Sequence, residues 1–102
     1  MVTDVTKLLR RLEIKDTGYY DNHFYIINFD DSNEYAKIYT KLDKNAVNTG
    51  YPSIEKNTNN STTKIINYFE MEENEMIYDL FLFADFINDK YYLKISERDY
   101  AN

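Results

Sequence analysis

Residues 64–96 read KIINYFEMEENEMIYDLFLFADFINDKYYLKIS, and this stretch decides the fold. It begins with KIINYFEM, whose aromatic and β-branched residues are typical of a strand. It ends with KYYLKIS, a second run of the same kind, and Asn88-Asp89 just before that run predicts a two-residue turn. We therefore expect this part of the chain to form antiparallel strands.

Between these two runs, the segment Met76–Ile87 fits two periodicities. As a strand it has one wholly apolar face and one mixed face, and as a helix that begins at Asn74 it has an apolar side and a more acidic side. A short apolar run cannot be assigned from its period alone. The aromatic and β-branched content favours the strand, and the helix is the alternative.

The N-terminal residues predict a helix. Thr3 or Asp4 can cap it, and apolar residues follow at the i, i+3, i+4 and i+7 spacing of one buried stripe. The stripe consists of Val5, Leu8, Leu9 and Leu12. Gly18 offers a stop or a turn soon after the helix.

The middle of the chain predicts a β-hairpin followed by a long loop. HFYIINF (23–29) and the alternating EYAKIYTKL (34–42) read as two strands, and the polar residues 30–33 read as the turn between them. Residues 43–63 contain few apolar residues and hold the only Pro of the chain. A polar loop of this length is either a mobile linker or a functional segment.

Together these segments predict a single α+β domain over residues 1–102, with the N-terminal helix packed on an antiparallel sheet of four to five strands. The chain is 43% hydrophobic and 17% aromatic, which is too rich for intrinsic disorder. It has no Cys, which excludes disulfides and zinc–thiolate sites. The longest apolar run, Leu80–Ala84, is far shorter than the roughly 20 residues of a membrane helix, so we expect a cytoplasmic protein.

Charge is distributed unevenly along the chain. The formal net charge is −6, and the acidity belongs to two segments: residues 16–36 carry five acids and residues 65–89 carry seven, and neither segment contains Lys or Arg. The rest of the chain is mildly basic. This layout disfavours nucleic acid or an anionic membrane as a direct ligand of the acidic segments and favours a basic partner.

If the strands form a simple meander, the turns at Asp30–Glu34 and Glu70–Glu75 lie at the same end of the sheet and form one acidic pole. The expected partner-binding residues are Asp30, Asp31, Glu34, Glu70, Glu72, Glu73, Glu75 and Asp79. Carboxylates about 6.7 Å apart along a strand face can imitate a nucleic-acid backbone and occupy a basic cleft. Acidic turns also keep a Tyr-rich sheet soluble, and this simpler interpretation stays open.

Residues that catalysis and cofactor binding need are scarce. His23 is the only His, so a His-rich metal site cannot be built and any His-based triad would need that one residue. Gly18 and Gly50 cannot form a Gly-rich phosphate loop, and the acidic clusters lack the spacing of a calcium loop. We expect no catalytic residue, no cofactor and no metal. A metal-dependent enzyme that uses clustered carboxylates is the enzymatic alternative.

With acidic tips at Asp30–Glu34 and Glu70–Glu75, this short, Cys-free chain resembles small phage-encoded inhibitor proteins of the DNA-mimic type from low-GC Gram-positive bacteria. The resemblance lies in composition and charge layout along the whole chain, and no motif carries over a functional residue. It implies a non-enzymatic protein that occupies the nucleic-acid-binding site of a basic host protein, such as a histone-like nucleoid protein or a nuclease. The alternative is an assembly or immunity-type module that binds through a Tyr-rich sheet face, with Tyr39 and Tyr92 as test positions.

Overall fold

The computed structural model describes residues 5–15, 18–21, 23–50 and 62–98, which form an antiparallel sheet of six strands and two helices. In chain order the elements are α1 (Thr6–Arg11), β1 (Tyr19–Asp21), β2 (Phe24–Phe29), α2 (Ser32–Asn45), β3 (Asn48–Gly50), β4 (Lys64–Glu73), β5 (Met76–Asp85) and β6 (Lys90–Glu97). The strand order across the sheet is β1-β2-β6-β5-β4-β3. The α+β class, the N-terminal helix and the antiparallel sheet are confirmed. The expected number of strands is too low, because the short edge strands β1 and β3 were not among them.

Strands β4, β5 and β6 confirm the sheet expected from residues 64–96. β5 pairs with β4 on one side and with β6 on the other. The strand interpretation of Met76–Ile87 is therefore confirmed over Met76–Asp85. Its ambiguous periodicity has a physical cause: Leu80 is fully buried in the core, and its neighbour Phe81 is half-buried on the opposite face. Both faces of the strand are apolar, so the alternation in the sequence is weak.

Residues 34–42 form the middle of α2 and are not a strand, so the predicted hairpin with residues 23–29 is wrong. Asp31 caps the helix, because its side chain accepts a hydrogen bond from the backbone N–H of Asn33 at 2.8 Å. Glu34 in the first turn is favoured by the helix dipole. The side of α2 that packs on the core follows the i, i+3, i+4, i+7 spacing and consists of Tyr35, Ile38, Tyr39 and Leu42. Apolar and polar residues also alternate along residues 34–42, as in a strand, but the Asp31 cap stabilises the helix instead.

Helix α2 carries the chain back across the sheet and reverses the direction expected for the next strand. It contacts β2, β4 and β6, and β3 then pairs antiparallel with β4. β2 and β3 therefore run in the same direction, joined by a helical crossover. The predicted loop over 43–63 is wrong in its first part, because residues 43–45 end α2 and residues 48–50 form β3. Residues 51–61 lie outside the described residues.

Helix α1 begins at Thr6, later than the sequence suggests. The predicted caps Thr3 and Asp4 lie outside the described residues, and Val5 occupies the N-cap position without a side-chain hydrogen bond. Leu8 and Leu12 are buried in the core between helix and sheet. Val5 is buried there as well, and Leu9 packs against the core, so the predicted apolar stripe is confirmed at all four positions.

Gly18 permits a close approach between the chain before β1 and strand β2. A Cβ atom at this position would lie 2.3 Å from the carbonyl oxygen of Ile26 and 2.8 Å from the ring of Tyr25. The backbone N–H of Gly18 also donates to the Tyr25 hydroxyl at 2.8 Å. Its role is to allow this contact, since α1 ends well before it, where Glu13 adopts a positive φ of 57°.

Both helices cover the same face of the sheet. The helical residues Leu8, Leu12, Ile38 and Leu42 share one hydrophobic core with strand residues such as Phe69. The opposite face, which we call the open face, carries no helix in the described part of the chain. No helix among the described residues is long and apolar enough to cross a membrane.

Candidate functional site

The sheet topology places the two acidic segments at opposite ends of the molecule. β2 ends at Phe29, which pairs with Tyr91 at the start of β6, so residues 30–34 lie beside the β5–β6 turn. We call this the β5–β6 end. Residues 70–75 span the β4–β5 turn at the other end, the β4–β5 end. The predicted acidic pole that joins both segments is wrong, because a crossover helix stands where the meander needs a strand.

At the β4–β5 end, Arg98 neutralises part of the acidic cluster. Its Nη2 atom lies 2.6 Å from Asp79 Oδ1 and 2.8 Å from both Glu70 Oε1 and the Tyr68 hydroxyl. Tyr68 also donates a hydrogen bond to Asp79. Burial, and then this hydrogen bond, raise the pKa of Tyr68 to about 12. The carboxylates that the sequence shows without a nearby base are thus paired from a distant part of the chain.

Arg11 of α1 reaches the same end from the helical side of the sheet. It lies 2.9 Å from the carboxylate of Glu73 and donates to the backbone carbonyl of Glu72 at 2.8 Å. Glu72 and Glu75 are the exposed glutamates of the cluster. The negative charge presented to solvent at the β4–β5 end is therefore smaller than the sequence indicates.

The β5–β6 end is organised by the carboxylate of Asp85, which is only 6% exposed. It accepts hydrogen bonds from the Asn88 side chain at 2.8 Å, the Thr62 hydroxyl at 2.6 Å and the backbone N–H groups of Ile87 and Asn88 at 3.1 Å. These bonds hold the pKa of Asp85 below its ordinary value of 3.8. Asp89 completes the turn with a φ of 55°. The turn spans residues 86–89, so the predicted two-residue turn is too short.

Two large apolar side chains stand on this turn and point into solvent. Phe86 is 64% exposed and Ile87 is 79% exposed, more than any other large apolar residue in the described part of the chain. We call them the apolar tip. The ring of Phe86 contacts Tyr35 of α2 and Tyr91 of β6, with centroids 6.1 and 6.0 Å away. The rings of Tyr35 and Tyr91 therefore support the apolar tip, while its outer surface stays in water. Leaving apolar surface exposed costs about 25 cal/mol of free energy per Å².

Four exposed carboxylates lie at the same end and form what we call the acidic rim. They belong to Asp30, Asp31, Glu34 and Asp89. Asp89 accepts a hydrogen bond from the Tyr91 hydroxyl at 2.6 Å. This bond, burial, and the charges of Asp89, Tyr35 and Asp31 raise the pKa of Tyr91 to about 12. Lys64 and Lys90 also lie at this end, and Lys15 and Lys37 line the cleft beside Asp30, Asp31 and Glu34.

The structure thus divides the predicted binding residues into two groups. Asp30, Asp31 and Glu34 lie at the β5–β6 end, where they meet Asp89, which the sequence did not single out. The remaining residues lie at the β4–β5 end: Glu70, Glu72, Glu73, Glu75 and Asp79.

The two tyrosines proposed for a Tyr-rich sheet face have different locations. Tyr92 lies on the open face, where its ring stacks on Phe83 with centroids 4.4 Å apart and planes 8° apart. Tyr39 instead lies between α2 and the sheet. Its ring contacts Phe69 at 5.7 Å, and its hydroxyl accepts a hydrogen bond from the buried Asn67 at 3.1 Å. The assignment of Tyr39 to a binding face is wrong, since its side chain joins two layers of the fold.

The other residues considered for catalysis or metal binding do not form a metal site in the described part of the chain. His23 is exposed just before β2, and no three His, Asp or Glu side chains in this part of the chain could together hold a metal ion. A cleft of about 810 Å³ runs between residues 12–15, the end of β2 and α2. Its walls mix carboxylates with lysines, and Lys41 pairs with Glu13. The cleft therefore has little preference for ligands of one charge.

Sequence reasoning missed the apolar tip and the role of Arg98. A two-residue turn assigns Phe86 and Ile87 to a strand, where packing would cover them. The signal that could have revealed the longer turn is Asp85 followed at i+3 by Asn88, because an Asp side chain that accepts backbone N–H groups from the next residues builds an Asx turn. Arg98 carries no local signal, since its partners are 19 to 30 residues away.

Comparisons of the chain with protein-family models, with curated proteins and with solved structures found no match.

Proposed function

We propose that this chain is a non-enzymatic binding protein that engages a basic protein through the apolar tip and the acidic rim. One observation carries the proposal. Two large apolar side chains that are more than half exposed stand on a turn held by Asp85, beside four exposed carboxylates.

The apolar tip has the properties of a binding anchor. Most of the binding energy of a protein interface comes from a few large side chains that enter pockets on the partner. Phe86 and Ile87 can supply such contacts. The hydrogen bonds of Asp85 and the rings beneath Phe86 fix the turn before binding, which lowers the entropy that is lost in the complex.

The acidic rim sets the chemistry of the partner. Carboxylates around an apolar contact steer a positively charged surface and repel an acidic one. A partner whose Lys and Arg residues normally bind phosphates has such a surface, so the narrower proposal is a basic DNA-binding protein, inhibited at its nucleic-acid site. The exposed acids at the β4–β5 end lie too far away to join this contact, and three others there are paired with Arg98 or Arg11.

The experiment captures the partner and then tests the surface. The immobilised chain is exposed to a nuclease-treated lysate of a low-GC Gram-positive bacterium and washed with a salt gradient. We expect retention of a basic DNA-binding protein that salt releases. The double variant Phe86→Ser, Ile87→Ser should then bind this protein at least about tenfold more weakly, the effect of losing a hot-spot contact.

A matched variant at the other end provides the control. Glu72→Gln with Glu75→Gln removes two exposed charges from the β4–β5 end and should leave the affinity unchanged. The proposal fails if no basic protein is retained, or if the Glu72 and Glu75 change weakens binding while the tip change does not. If the partner binds through the tip but duplex DNA does not compete, the DNA-mimic form of the proposal fails and the basic-partner form stands.

A further inference from the structure

The open face carries a continuous aromatic and apolar surface that the proposed function does not use. Side chains from five strands contribute to it, and most of them are half-buried against one another. The register places on this face Tyr19, Phe24, Ile26, Tyr68, Phe81, Phe83 and Tyr92. The core lies on the other side of the sheet, so these residues do not take part in it, and the apolar content of the face goes beyond what a solvated sheet face requires.

The side chains of the open face hold one another in place. Phe83 stacks on Tyr92, the rings of Tyr68 and Phe81 lie 5.1 Å apart, and Lys94 Nζ lies 3.7 Å above the ring of Phe24. A surface whose rings are already packed loses little side-chain entropy when a partner covers it. The open face can therefore pack against another flat apolar surface at a small cost in side-chain entropy.

Charges of both signs are interspersed with these rings. Lys94 supplies positive charge and Asp21 negative charge, while Arg98, Glu70 and Asp79 are already paired with one another at the β4–β5 end. The carboxylates disfavour a nucleic-acid strand, whose phosphates would be repelled. A face with both signs can pair with a copy of itself, because a twofold operation brings the positive positions of one copy toward the negative positions of the other.

We propose that the open face packs on the open face of a second copy of this chain, giving a symmetric dimer with two sheets inside and the helices outside. The central four strands are six to ten residues long. With strands about 4.8 Å apart, they present roughly 500 Å² in projection. Side-chain relief and the edge strands add to this area, which brings it toward the roughly 800 Å² per partner of a stable interface.

The edges of the sheet favour face packing over edge pairing. The outermost strands β1 and β3 contain three residues each. Within the described part of the chain, these short strands offer few free backbone groups of their own to another chain. A second copy is therefore expected on the face, with the two sheets about 10 Å apart.

Sedimentation velocity across a concentration series tests this dimer. We expect the full chain to sediment as a monomer–dimer equilibrium, and Phe83→Lys to raise the dissociation constant at least about tenfold, since a charge enters the apolar centre. Tyr19→Lys is the second variant, because its 53% exposure makes it harmless to folding. Circular dichroism confirms that both variants are folded.

The control separates this inference from the proposed function. The Phe86→Ser, Ile87→Ser variant should dimerise like the unmodified chain, whatever happens to its affinity for a basic protein. A chain that is monomeric at all concentrations overturns the inference, and so does a dimer that both face variants leave intact. Binding of a fluorescent oligo(dT) by the monomer, lost in Phe83→Lys, would also overturn it and assign the face to single-stranded nucleic acid.

Discussion

Asp85 determines which side chains the β5–β6 end presents to solvent. Its carboxylate has four donors around it, two from the backbone of the turn and two from side chains. A neutral carboxylic acid is a weaker acceptor than a carboxylate, so these bonds favour the ionised form. The same bonds that lower the pKa of Asp85 therefore hold the turn in the shape that exposes Phe86 and Ile87.

This link predicts how the turn responds to acid. The pKa of Asp85 is lower in the folded chain than its ordinary value of 3.8, so its stabilising effect is complete above pH 3.8 and is lost as the pH falls through the lowered pKa. In an NMR titration, the Asp85 carboxyl signal and the amide signals of Ile87 and Asn88 should change together, with a midpoint below 3.8. A midpoint at or above 3.8 would contradict the role given to Asp85. Asp85→Asn should abolish the transition in both amides.

Helix α2 is the element in which local sequence signals compete most evenly. Residues 34–42 alternate like a strand, and they also place apolar residues at helical spacing. Asp31 and Glu34 provide a cap and a first-turn carboxylate, which only a helix uses. The helix could therefore have been predicted from Asp31 and Glu34 at its N-terminus, whereas the alternation of apolar and polar residues within it does not indicate a strand.

The substitution Thr40→Ala distinguishes the two structures by the sign of its effect. Thr40 is exposed on α2, and its hydroxyl donates to the carbonyl of Ala36 at 3.0 Å. In a helix, Ala is the better residue and should raise the free energy of unfolding by about 0.5 kcal/mol. In a strand, the loss of a β-branched side chain should lower it. Urea denaturation measures the change, and a loss of stability would argue against the helix.

Strands β2, β4, β5 and β6 were predictable because their aromatic and β-branched residues form long runs between turn signals. The edge strands β1 and β3 were not, because three residues carry too little pattern, and β3 also pairs with β4, which lies much later in the chain. For the candidate site, the acidic residues were identifiable from the sequence. Which of them lie together was not, since that depends on a single crossover helix.

At the scale of the whole molecule, the direction of the chain after α2 decides which acidic residues lie together on the surface. A meander would have put all the predicted acids at one end. The observed order puts residues 30–34 beside the apolar tip and residues 70–75 at the far end, where Arg98 and Arg11 partly neutralise them. The proposed contact therefore combines a hydrophobic anchor with moderate negative charge, and does not depend on charge alone.

The most direct test of this account is a pair of distances measured by double electron–electron resonance. The chain has no Cys, so spin labels attach only at introduced positions, and Asn33, Glu72 and Lys90 are exposed. We predict about 25 Å or more between labels at Asn33→Cys and Glu72→Cys, because eight strand residues at about 3.3 Å each separate the two ends of β4. Labels at Asn33→Cys and Lys90→Cys should be clearly closer. If the first distance is the shorter one, the acidic segments meet after all, and the surface proposed here is wrong.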